Sequence, residues 1–207
     1  MATKIITISR EFGSGGRELG KRLADILGFA YYDREILTAI AEKRHLDATY
    51  VEKKLDAQAW QAFPISYRRT FTVLPSFSAS ADLLAEQKRV LEEIAQKGDD
   101  CVIVGRNADV LLKAYQPFNI FVCAYKNTKL RRCQERADAN ETLTEKELEK
   151  RMKSVDKSRA KTREMLSGGA WGQREEYHLV VNTSSWEIKA LSEALAPFIQ
   201  QWFGREK

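Results

Sequence analysis

The chain predicts an α/β fold: a five-stranded parallel sheet, its first strand central, with helices on both faces. Three observations point there. Short apolar runs alternate with segments of helical periodicity. The runs are apolar on successive residues, as in Cys101-Val102-Ile103-Val104, which suits strands buried on both faces. A glycine-rich turn at residues 13–16 joins the first run to the first helical pattern.

The first strand is expected at about Lys4–Ser9, and a helix from about Gly16 to Leu27, where Leu19, Leu23, Ile26 and Leu27 recur at helical spacing until Gly28 stops it. Phe29–Asp33 reads as a short strand ending in an acid, and Arg34–Arg44 resumes helical periodicity through Ile36, Leu37 and Ile40. From about His45 to Ala81 the pattern is irregular. Ala48–Trp60 looks helical, and the stretch holding Pro64, Pro75 and several serines suggests loops or an excursion from the sheet. A helix is expected over about Asp82–Lys97, stopped by Gly98, followed by strands at Cys101–Gly105 and Asn119–Cys123. Helices follow at about Thr128–Ala137 and Thr144–Glu164, the second announced by Thr144 with Glu147 three residues on, a capping box. Tyr177–Val181 is the last expected strand and Ser185–Phe203 an amphipathic terminal helix. No internal repeat or linker divides the 207 residues, so one domain over 1–207 is expected.

Composition narrows the function classes. Hydrophobic content of 43% and charged content of 30% describe a soluble globular protein. No apolar run approaches the ~20 residues that span a bilayer, and the start runs directly into a strand without a secretory pattern. The three cysteines, Cys101, Cys123 and Cys133, lack zinc-site spacing, and the first two fall in apolar strands as small core residues. A cytoplasmic setting, without membrane attachment, is expected. The net charge of +5 comes from basic residues interspersed with acids, as in Glu145-Lys146-Glu147-Leu148-Glu149-Lys150-Arg151, a solvated helix face rather than a nucleic-acid surface. No metal-ligand spacing surrounds His45 or His178, and Trp60, Trp171, Trp186 and Trp202 read as packing residues.

The glycine turn carries the chemistry. In Arg10-Glu11-Phe12-Gly13-Ser14-Gly15-Gly16-Arg17-Glu18, the glycines let successive N–H groups point into one concavity, and the helix that opens there adds unpaired donors and a positive dipole end. This is a phosphate-binding arrangement, although a tight connection alone would also use such residues. Against the P-loop pattern G-x-x-x-x-G-K-[ST], Glu11 stands at the first glycine, Arg17 at the lysine and Glu18 at the magnesium-binding hydroxyl. Ligands in such sheets gather at the carboxyl ends of strands. Those ends carry the glycine loop, Asp33, Gly105-Arg106-Asn107, Ala124-Tyr125-Lys126 and Asn182-Thr183-Ser184-Ser185.

These segments, together with Tyr31-Tyr32-Asp33-Arg34-Glu35-Ile36-Leu37, Val102-Ile103-Val104-Gly105-Arg106, Val155-Asp156-Lys157-Ser158-Arg159, Trp171-Gly172 and Tyr177, resemble the cytidylate kinase-like P-loop proteins in order and across almost the whole chain. The resemblance implies a P-loop NTPase fold, three layers α/β/α with a helical insertion and a lid. It implies a nucleotide kinase acting with ATP and Mg²⁺ on a small phosphorylated acceptor, CMP or dCMP first. Gly13, Ser14, Gly15, Gly16, Arg17 and Glu18 would hold the donor phosphates, and Asn182 would lie at the donor base. Asp33, Arg106, Asp156 and Arg159 would meet the acceptor. Arg17, Arg132 and Arg136 would neutralise the transferred group. The stretch of about 45–81 takes the place of the acceptor-binding insertion, and about 132–160 that of the lid. Plainer roles fit some of these residues too: Asp33 as an N-cap for the helix that follows, Asp156 and Arg159 as a helical pair, Arg132 and Arg136 as an exposed stripe. The Arg17-Glu18 pair leaves open a nucleotide-binding sensor or regulator without transfer activity, and the unmatched insertion leaves open a kinase of another small metabolite.

Overall fold

The computed structural model describes residues 3–33, 35–45, 75–136 and 144–205. Its centre is a parallel sheet of β1 (Ile5–Arg10), β2 (Ala30–Tyr32), β3 (Cys101–Val104), β4 (Phe118–Cys123) and β5 (Leu179–Asn182), in the order β2-β3-β1-β4-β5. The first strand is central, as the burial of Ile5, Ile6 and Ile8 on both faces demands. Alternation along the strands sorts side chains between the two faces. Ile5, Cys101 and Ile103 pack on one face with α2 (Glu35–Arg44) and α3 (Pro75–Gln96), whereas Ile6, Ile8, Val102, Val104 and Ile120 pack on the other with α1 (Gly16–Leu27) and α7 (Ile188–Phe203). Thr7, the one polar residue between β1's isoleucines, donates its hydroxyl to Asn119 Oδ1 at 2.7 Å, so its burial leaves no orphaned group.

Several element ends differ from expectation. Helix α3 begins at Pro75, seven residues before Asp82. Proline suits a first helical position, where its missing N–H is not needed, and a serine-rich stretch can be helical when its end is set that way. The short helix α4 (Ala108–Leu111) and the 3₁₀ turns at Lys113–Tyr115 and Arg174–Glu176 carry no periodicity long enough to read in advance. Helices α5 (Lys126–Glu135) and α6 (Glu145–Ser167) follow, the latter with the expected capping box: Thr144 Oγ1 accepts from Glu147 N–H, and the Glu147 carboxylate accepts from Thr144 N–H. Ala48–Trp60, most of the expected insertion and residues 137–143 of the expected lid lie outside the described residues.

Cys101 is buried as expected, and Trp171 and Trp202 pack edge-on or tilted against Phe121 and Phe118. Trp186 does not pack: it is 52% exposed, because it stands in the turn after β5 rather than on a helix facing the core. Among the described residues, no helix is long and apolar enough to cross a membrane.

Candidate active site

The glycine loop follows β1 directly. Gly13 and Gly15 have φ of +75° and +83°, values that L side chains rarely adopt, and Gly15 leads into the first turn of α1. Residues remote in sequence hold this loop. Phe12 N–H donates to Asp156 Oδ1 at 2.7 Å, and Arg159, which also pairs with Asp156 at 3.2 Å, donates to the Arg10 carbonyl at 2.9 Å. The Glu11 carboxylate accepts from Ala124 N–H (3.2 Å) and Lys129 Nζ (2.9 Å). Arg132 donates to the Ser14 carbonyl and to the Thr183 hydroxyl and carbonyl. Burial pushes the Asp156 carboxyl up, against the pull of Phe12 N–H, Arg159 and Lys129. A carboxylate kept there despite that cost is consistent with a clamp on the loop.

Two clefts open at this end of the sheet. The first is lined by the loop glycines Gly13, Gly15 and Gly16 with Arg17, Arg132, Arg136 and Arg151. The second is lined by Ser9, Arg106, Asn107, Gln87, Ser158 and Thr162, among others. Arg10, Arg17 and Arg159 line both. The Arg10 side chain is 12% exposed, and its guanidinium is pushed down to about 9 by withdrawal from water and by the charges of Arg159, Arg106 and Arg17, with Asp33 pulling the other way. Four guanidinium groups so close, one of them largely withdrawn from water, make a ready seat for a strongly anionic group.

The turn that carries Arg106 is unusual. Gly105, Arg106 and Asn107 all have positive φ, +77°, +59° and +51°. A Cβ on Gly105 would lie 1.7 Å from Arg10 Nη1, so glycine is what lets that arginine reach the cleft. Gln87, buried on α3, donates Nε2 to the Arg106 carbonyl at 2.7 Å. Backbone strain of this kind persists where surroundings over-determine it, and it clusters at functional sites.

Each sequence-predicted residue has a definite place. Asp33 is buried at the junction, its carboxylate 2.5 Å from Arg17 Nε and 3.5 Å from Arg10 Nη2. Arg17 therefore leans toward the second cleft as well as lining the first. Glu18 is paired with Arg22 at 3.0 Å and with Arg136. The Ser14 hydroxyl is buried and donates to the Glu11 carbonyl. Asn182 is exposed at the end of β5, where its Oδ1 accepts from Ser184 N–H. Arg106 and Arg159 line the second cleft, while Asp156 lies against the loop backbone and is absent from the lining of either cleft. Sequence reasoning did not single out Arg10, Gln87, Lys129 or the Asp109–Arg163 pair. Arg10 had a signal, its place at the carboxyl end of the central strand. Gln87 and Lys129 sit on helices with nothing local to mark them.

The model of the cytidylate kinase-like family matches residues 5–185 of the chain. No curated protein matches it. Among solved structures, the chain is similar to an uncharacterized protein from Eubacterium ventriosum ATCC 27560, with 24% identity, a TM-score of 0.68 and coverage of 96% of this chain and 99% of that one. It is also similar to shikimate kinase from Bacteroides thetaiotaomicron, with 16% identity, a TM-score of 0.57 and coverage of 96% and 99%. A third likeness is to shikimate kinase from Acinetobacter baumannii in complex with shikimate, with 14% identity, a TM-score of 0.55 and coverage of 96% and 94%. At these identities the likeness is one of fold, that of the P-loop kinases.

Proposed function

The chain belongs to the cytidylate kinase-like family, and from that premise we propose that it transfers the γ-phosphoryl group of ATP to a nucleoside monophosphate, CMP or dCMP first. The observation that supports this most is the pair of arginine-lined clefts that share Arg10, Arg17 and Arg159. Phosphoryl transfer asks a protein for in-line placement of donor and acceptor and for positive charge around the group in flight. The glycine loop would take the donor phosphates through backbone N–H groups. The second cleft would take the acceptor phosphate at Arg106, and the shared arginines would face the transferred group. On this reading the stretch of about 45–81 completes the acceptor wall, and about 132–160 is the lid of a single domain.

Among the described residues, no three or more His, Cys, Asp or Glu side chains gather as a metal site, and Glu18 is already engaged by two arginines. This donor set fits a magnesium ion that arrives on the nucleotide and is held chiefly by phosphate and water. Such an ion would supply charge neutralisation at the phosphates.

A second reading, a nucleotide-binding sensor without transfer, is favoured by one feature. Arg17 and Glu18, at the positions of the P-loop lysine and hydroxyl, are both paired within the protein, Arg17 with Asp33. The test is ADP release from ATP and Mg²⁺ with a panel of nucleoside monophosphates, beside calorimetry of each ligand. Arg106→Ala is expected to weaken CMP binding by about 1.5–3 kcal/mol, the range for a hydrogen bond to a charged group, and to leave ATP binding nearly unchanged. Equal losses for both ligands would remove the two-substrate site. ATP binding without ADP release, in the wild type and in Arg17→Lys with Glu18→Ser, would leave the sensor.

A further inference from the structure

Behind the second cleft lies a buried charged group that phosphate binding does not use. Arg163 of α6 is 2% exposed and Asp109 of α4 is 5% exposed, and Arg163 Nη1 donates to Asp109 Oδ2. Arg163 Nη2 also donates to Glu176 Oε2 at 3.1 Å, and its guanidinium lies 5.1 Å from the centre of the Tyr177 ring. The Tyr177 hydroxyl, in turn, accepts from Gly172 N–H. Asp109 Oδ1 and Arg163 Nε are buried and make no hydrogen bond among the described residues. Burial opposes the charge on Arg163, but Asp109, Tyr177 and Glu176 more than offset it and hold the guanidinium above its ordinary range.

A buried ion pair with unsatisfied atoms is poor stabilisation, since apolar side chains of similar volume often serve as well or better. Its placement gives it another use. Asp109 stands two residues after Asn107, in the helix that follows the strained turn presenting Arg106. Arg163 follows Thr162 on the helix that presents Ser158 and Arg159. The turn and α6 are two walls of the second cleft.

We propose that Arg163 and Asp109 are positioning residues for that cleft: by joining its walls they fix the spacing of Arg106 against Arg159 and Ser158, and so govern acceptor binding rather than donor binding. This rests on reading the second cleft as the acceptor site. A guanidinium suits the task because its planar fork engages Asp109 and Glu176 at once, which an ammonium point charge does not reproduce.

The experiment compares wild type, Arg163→Lys, Asp109→Asn and the uncharged double variant Arg163→Met with Asp109→Leu. Melting temperature, ATP affinity and CMP affinity are measured for each. Arg163→Lys and Asp109→Asn are expected to weaken CMP about tenfold or more, roughly 1.4 kcal/mol, with ATP affinity within about twofold. The double variant is expected to melt at or above Asp109→Asn while CMP binding stays weak. CMP affinity that recovers together with melting temperature in the double variant, or equal losses for ATP and CMP, would reduce the pair to packing and overturn the proposal. If the wild type binds ATP but neither CMP nor any other monophosphate, the kinase reading fails by itself. The pair is then judged by hydrogen exchange in the ATP complex: faster exchange at the Gly105–Asn107 amides in Asp109→Asn, with the Gly13–Gly16 amides unchanged, supports it, and unchanged exchange at both overturns it.

Discussion

Glu18 stands where the P-loop pattern places a hydroxyl, and its neighbours give that carboxylate a task. It is held by Arg22 one turn along α1 and by Arg136 at the end of α5. The geometry suits an anchor that keeps Arg136 over the loop cleft more than a metal ligand or a charge aimed at the nucleotide. Exposed ion pairs contribute little stability, about 0–1 kcal/mol, so Glu18→Gln is expected to leave the melting temperature nearly unchanged. ATP affinity should fall by roughly the same range, a few-fold, with the same Mg²⁺ requirement. A raised Mg²⁺ requirement in a magnesium titration would make Glu18 a metal ligand instead. Asp33 repeats the theme. Its carboxylate sits between Arg10 and Arg17, and both arginines line the two clefts.

At the scale of elements, the turn after β3 and the glycine loop after β1 are built as one piece. β1 and β3 are neighbours in the sheet, with Ile8 opposite Val104, so their ends lie side by side. The Gly105 N–H donates to the Ile8 carbonyl at 2.8 Å, and the side chain of Arg10 fills the space a Gly105 side chain would occupy. Gly105→Ala is therefore expected to cost about 1–2 kcal/mol from its positive φ alone, and to displace the Arg10 guanidinium. Melting should show the first effect. Calorimetry should show the second as a loss of monophosphate affinity larger than the loss for ATP. An alanine variant that binds CMP as the wild type does would show that Arg10 has no part in the cleft. Helix α6 is the other decisive element, since Asp156, Ser158, Arg159, Thr162 and Arg163 all lie within two turns of it and reach the loop, the second cleft and Asp109 behind it.

At the scale of the whole molecule, both clefts open at the carboxyl end of β1, the first toward α5 and the second toward the end of β3, and α6 lines both. A ligand that seats there should stabilise the entire fold by linkage: at about 100 times its dissociation constant, ATP should add ~2.7 kcal/mol. For a chain of this size that raises the melting temperature by roughly 5–10 °C. No shift with ATP, with or without Mg²⁺, would mean that the glycine loop is only a turn.

The sequence by itself determined the layers, the central strand and the loop. Those rest on local signals: apolar runs at β1 and β3, the period of Leu19 and Leu23, the Thr144–Glu147 box and the glycines at 13, 15 and 16. Each is written within a few residues and is physically costly to realise in any other way. The partners of the charged residues were legible only in tertiary structure. Nothing near Glu11 predicts Lys129, nothing near Phe12 predicts Asp156, and the helix bearing Asp109 is four residues long. Whether Arg132 braces the loop, Arg17 leans to Asp33 or Trp186 stays exposed was decided by which strand ends became neighbours. A side-chain ion pair depends on distances between segments as far apart in the chain as Glu18 and Arg136, separated by 118 residues, and no local pattern encodes those distances.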